Sequence, residues 1–90
     1  MYTTIKQSQL SYDELRKLLF SLGFFKTTSR RYRRFEKFVS KDEYIGIEVD
    51  MTENYMTLAS YWTATLSDEQ VKRYETDLLV ELKRKGVKVA

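Results

Sequence analysis

Cysteine, histidine and proline are all missing from this chain, and glycine occurs only three times. Without cysteine there is no disulfide, no thiolate nucleophile and no sulfur-ligated metal. Without histidine the commonest general base and the commonest metal ligand are gone as well. An enzyme built from what remains would rely on carboxylates, a lysine, or a hydroxyl activated by one of them. The glycines, Gly23, Gly46 and Gly86, stand far apart, so the chain has no phosphate-binding glycine loop. No apolar run approaches the ~20 residues of a membrane-spanning helix. The segment Met1 to Leu10 lacks the continuous apolar stretch of a secretion signal. These absences lead to the expectation of a non-catalytic protein without cofactor or metal, kept off the membrane in a cytoplasm or a plastid stroma.

What is present is enough for one domain over residues 1–90. A hydrophobic share of 42%, with five Phe, seven Tyr and one Trp, supplies a core. A chain of this size hides roughly 60–65% of the surface its unfolded form exposes. The clearest local signal is a helix grammar written twice. Leu10-Ser11-Tyr12-Asp13-Glu14-Leu15 opens an amphipathic run that stops at Gly23, and Leu66-Ser67-Asp68-Glu69-Gln70-Val71 opens another that stops at Gly86. In each, the serine oxygen can accept from a free first-turn N–H while Glu14 or Gln70 reaches back to the serine N–H. The apolar pairs Leu10 with Leu15 and Leu66 with Val71 have the spacing of a hydrophobic staple. Leu15, Leu18, Leu19 and Leu22 form one stripe, and Val71, Tyr74, Leu78 and Leu82 form the other.

The rest reads as extended. Tyr2 to Gln7 makes a first strand. Phe24 to Arg30 is a turn leading into a strand over Arg31 to Val39. Phe35 and Phe38, three apart in that strand, face opposite sides unless a bulge resets the register. Tyr44 to Met51 alternates cleanly, with Ile45, Ile47, Val49 and Met51 on one side. Met56, Leu58, Trp62, Ala64 and Leu66 share one parity of a longer strand. Val87-Lys88-Val89 is long enough for a short final strand. The order β-α-β-β-β-α(-β) predicts a ferredoxin-like α+β two-layer sandwich, its mainly antiparallel sheet carrying both helices on one face. Leu15, Leu19, Trp62, Leu78 and Leu82 are expected in the core.

Several segments, taken in order, carry a family resemblance. They are Thr3-Thr4-Ile5-Lys6, Asp13-Glu14-Leu15 through Leu22-Gly23-Phe24, Ile45-Gly46-Ile47, and the Arg73-Tyr74 helix leading to Lys85-Gly86-Val87-Lys88-Val89. Together they resemble the cyanobacterial and plastid proteins called hypothetical chloroplast reading frame thirty-five. The resemblance implies an α+β fold and a photosynthetic or phage-like setting, and it implies no activity.

Charge is more informative than its net value of +3. Lys26, Arg30, Arg31, Arg33, Arg34, Lys37 and Lys41 crowd one segment against the single acid Glu36. From Asp42 to Gln70 there is no Lys or Arg, only acids. Within the basic segment, Arg30, Arg31, Tyr32, Arg33, Arg34, Phe35 and Lys37 mix guanidinium groups with rings. That mixture suits RNA or DNA, with cations on phosphates and rings under bases. It equally suits an acidic protein partner. A third reading is an edge strand kept soluble by its charge, with Arg33 and Arg34 paired to Glu48 and Asp50 on the next strand. Glu48 and Asp50, with Glu53 nearby, have the oxygens for a hard cation, but their i, i+2 spacing is also that of a solvated strand face. Tyr44, Tyr55 and Tyr61 lie opposite the core parity and form a patch fit for a partner or a second copy. The favoured reading is a small adaptor that docks on a protein partner or homodimerises through an open sheet face and the basic strand. The alternative is nucleic-acid binding through segment 30–38.

Overall fold

The computed structural model describes residues 1–89. Strands β1 (Tyr2–Lys6), β2 (Phe25–Lys26), β3 (Arg33–Phe38), β4 (Tyr44–Met51) and β5 (Tyr55–Trp62) form one sheet in the order β1-β5-β4-β3-β2. Helix α1 (Tyr12–Ser21) joins β1 to β2, and α2 (Asp68–Arg84) follows β5. Every neighbouring pair is antiparallel. β1 and β2 therefore run in the same direction at opposite edges, and the β1-α1-β2 crossover spans the whole sheet.

Both helices begin and end as their sequences require. Ser11 accepts from the Glu14 N–H while the Glu14 carboxylate accepts from the Ser11 N–H, and Ser67 and Gln70 repeat the arrangement. The bond from the Ser11 backbone is the main reason the Glu14 carboxyl titrates below its usual range; Lys17 does the same for Asp13. At the far ends, Gly23 and Gly86 have φ of 90° and 77°. Gly23 N–H donates to Phe20 and Phe24 N–H to Leu19, while Gly86 donates to Lys83 and Val87 to Leu82. These are paired Schellman closures, and the apolar residue just past each glycine packs back on its helix. Phe24 and Val87 are accordingly buried.

The two helices cover one face of the sheet. Phe35 on β3 meets Tyr12 and Phe20 of α1, and Lys37, two residues on along the same face, sits under the Tyr74 ring of α2. Ile5, Phe35, Ile45, Ile47, Val49, Met56 and Leu58 fill that face against Leu15, Leu18, Leu19, Leu78 and Leu82. Ser60 donates to Glu75 and ties β5 to α2.

Four expectations need correction. The strand order is not ferredoxin-like: a short β2 at Phe25–Lys26 extends the meander β2-β3-β4-β5, and the chain has one crossover helix where a ferredoxin-like sandwich has two. Residues 87–89 form no strand, because Val87 is held by the closure of α2 and Lys88 N–H donates to the Gln9 side chain. The basic strand begins at Arg33, which leaves Arg30, Arg31 and Tyr32 in the loop before it. Trp62 is 42% exposed. It is the last residue of β5, where the chain leaves the sheet and Leu66 becomes the buried staple of α2 instead of continuing the strand.

Candidate functional site

A strand has a period of two, and that period divides the basic segment. Arg33, Phe35 and Lys37 point to the helix side, while Arg34, Glu36 and Phe38 point to the open side. Phe35 is fully buried, so it cannot stack on a base. Lys37 Nζ donates to the Leu22 carbonyl at 2.9 Å, and Gly23 beside that carbonyl lies against its alkyl chain. This lysine closes the end of α1. Arg33 lies over the Tyr12 ring at 5.6 Å, and its register partner on β4 is Val49, which carries no charge. Only Arg34 makes the expected bridge, to Glu48 at 3.2 Å. Half-exposed pairs of this kind contribute about 0–1 kcal/mol. No bulge interrupts the β3–β4 register, and Phe38 is exposed opposite Tyr44.

The open face carries a row of rings. Phe38 and Tyr44 are 5.6 Å apart, and Tyr44 meets Tyr61 edge-on at 6.2 Å. Tyr61 crosses from β5 over Gly46 of β4 and donates from its phenol to Glu36 of β3 at 2.8 Å. A side chain at position 46 would strike its ring, with the added carbon 2.1 Å from Tyr61 Cζ. Arg34 sits 4.3 Å from the Tyr32 ring and 5.5 Å from that of Tyr61, so it lies between the two. Tyr2, 76% exposed, and Tyr55 extend the face along β1 and β5. Tyr2 carries no sequence mark of a site residue, and strand parity with Thr4 places it here; Phe38 takes the side opposite Phe35 expected of an unbulged strand.

Burial first, and the Glu36 carboxylate second, push the Tyr61 phenol well above the usual tyrosine range. The folded protein therefore keeps this proton at a pH where an unfolded chain loses it. The stability gained is complete below about pH 10, the ordinary tyrosine value, and declines as pH rises beyond it. Urea midpoints measured from pH 8 to 11 are expected to fall more steeply above pH 10 for the native protein than for Tyr61→Phe. Parallel curves would separate Tyr61 from this effect.

Two concavities meet at Arg31, Tyr32 and Arg33. One, of about 310 Å³, lies on the open face between Tyr2, Glu48, Asp50 and the segment Arg31–Arg33. The other, of about 520 Å³, is formed by the β2–β3 loop and the start of α1. Glu48, Asp50 and Glu53 do not converge: among the described residues no three acidic groups gather in a metal-holding arrangement. Among the described residues no helix is long and apolar enough to cross a membrane.

No protein-family model, no curated protein and no solved structure matches the chain.

Proposed function

We propose that this protein is a non-catalytic docking module whose open sheet face seats a protein partner. One observation supports this reading above the others: both helices pack on one side of the sheet, and the other side carries Tyr2, Phe38, Tyr44, Tyr55 and Tyr61 with no layer over them among the described residues. Tyrosine and phenylalanine are enriched in the centres of protein interfaces, where a rigid ring covers a large area at little conformational cost. The five strands, at about 3.3 Å per residue and about 4.8 Å between strands, give roughly 450 Å² in flat projection. Side-chain relief raises the accessible area toward the ~800 Å² per partner of a standard interface. The mixture of rings with Arg34, Glu36, Glu48 and Asp50 also resembles an interface rim more than a polyanion surface.

The test compares the native protein with Phe38→Glu/Tyr55→Glu. Both substitutions lie at exposed positions, so the circular dichroism spectrum should not change. Capture from the native cell extract at near-physiological salt is expected to recover a partner with the first bait and lose it with the second. Light scattering of the pure proteins decides whether that partner is a second copy of the chain. Identical recovery by both baits would remove the open face from the argument.

A further inference from the structure

Four basic residues of the segment 26–33 meet around the β2–β3 loop. Lys26, Arg30, Arg31 and Arg33 all line the concavity of about 520 Å³, and no acidic residue lines it with them. None of the four forms an ion pair among the described residues, although Arg16, Lys17, Arg34 and Arg84 each find a carboxylate. Two of the guanidinium groups rest on rings instead: Arg33 lies 5.6 Å from the Tyr12 centroid and Arg31 lies 5.4 Å from that of Tyr32. A guanidinium held over a ring keeps its in-plane N–H donors free for an incoming anion. The loop itself is drawn together by the Tyr32 N–H donating to Ser29 Oγ, and Thr27 and Thr28 line the same wall.

Four uncompensated cations call for a polyanion, and the adjoining groove narrows the choice. Arg31, Tyr32 and Arg33 belong to both concavities and form the wall that the cradle shares with the open-face groove ending at Glu48 and Asp50. A uniformly acidic peptide that satisfied the cradle would be repelled there, since Arg34 offsets only Glu48. A strand of nucleotides alternates phosphates with bases, and base edges carry amino donors that carboxylates accept. Tyr12 and Tyr32 back the guanidinium planes of Arg33 and Arg31, and such planes are themselves surfaces on which unpaired bases stack. We infer that the β2–β3 loop is a binding site for single-stranded nucleic acid, with phosphates in the cradle of Lys26, Arg30, Arg31 and Arg33 and bases toward the groove at Asp50. This site goes beyond the docking reading: its phosphate cradle shares no residue with the docking face, and only the groove lined by Tyr2, Glu48 and Asp50 is common to both.

The test is a titration of the full chain against labelled ten-nucleotide single-stranded RNA by fluorescence anisotropy. Four phosphate contacts, at roughly −0.7 each, predict a slope of about −3 for log affinity against log salt. That slope corresponds to a loss of roughly 50-fold between 50 and 200 mM salt. Arg30→Ala/Arg31→Ala removes two exposed, unpaired loop cations and should weaken binding at least tenfold, with a slope shallower by about 1.4. Lys41→Ala/Lys72→Ala removes the same charge from exposed positions outside the cradle and should leave affinity within about twofold. Three results overturn the inference. They are absence of binding at tens of micromolar protein in low salt, an equal loss in both double variants, and displacement of the RNA by polyglutamate at matched anion concentration. The last would reassign the cradle to an acidic protein.

Discussion

Truncating Phe35 to alanine is expected to lower the stability of this domain by about 3–5 kcal/mol, the usual cost of emptying a buried aromatic site. Phe35 is fully buried at the point where β3 meets α1, with the Tyr12 and Phe20 rings each 6.3 Å from its own. Its register partners, Ile47 on β4 and Lys26 on β2, fix it to the middle of three strands. No neighbouring side chain can collapse into that space without leaving another contact. A domain of this size has about 5–15 kcal/mol in all, and each lost kcal/mol lowers the melting temperature by roughly 4–8 °C. Phe38→Ala, three residues on, should cost under about 1 kcal/mol, because Phe38 is 63% exposed on the other face. The pair is read by thermal melts followed by circular dichroism. Equal losses, or a larger loss for Phe38, would mean that β3 is displaced by one residue and that its basic side chains face the opposite way.

That contrast also shows where sequence reading reaches its limit. The helices were legible almost residue by residue, because capping boxes, staples and terminal glycines are local devices whose partners lie within six residues. The clean alternation of Tyr44–Met51 likewise gave β4 its two faces. Strand order was not legible, since alternation states which side a residue takes and says nothing about which strand lies beside it. The two-residue β2 is too short for any periodic signal, yet it sets one edge of the sheet and extends the meander. Composition misassigned the basic segment for a related reason. A cluster in sequence becomes two half-clusters on a strand, so Phe35 and Lys37 went to the interior while Arg30 and Arg31 fell into the loop. The loop in turn brought Lys26 back beside them, a neighbour across the β2–β3 connection that no short window would pair with Arg33. Tyr44, Tyr55 and Tyr61 stand on the face expected of them, but Tyr61 is less a free contact than a brace across three strands.

That brace leads to the second large effect. Gly46→Ala is expected to destabilise the domain by about 1–3 kcal/mol, the typical result of forcing extra volume into a filled site. The added carbon would lie 2.1 Å from Tyr61 Cζ and within 2.6 Å of both flanking ring carbons. Those atoms belong to a rigid ring, so relief requires the whole side chain to swing off the sheet. In doing so it would give up the hydrogen bond to Glu36 and the edge contact with Tyr44. Glycine is otherwise a poor strand residue, losing about 0.5–1 kcal/mol to alanine through its greater freedom when unfolded. Its presence in the central strand is therefore explained by the ring that covers it, a pairing of glycine with a cross-strand aromatic. The explanation makes a sign-reversing prediction. In a Tyr61→Ala background the obstruction is gone, and Gly46→Ala should become neutral or stabilising by a few tenths of a kcal/mol. Urea denaturation of the native protein, both single variants and the double variant measures the coupling directly. Strictly additive losses would show that Gly46 is required by its own backbone, and Tyr61 would lose its place as the reason for it.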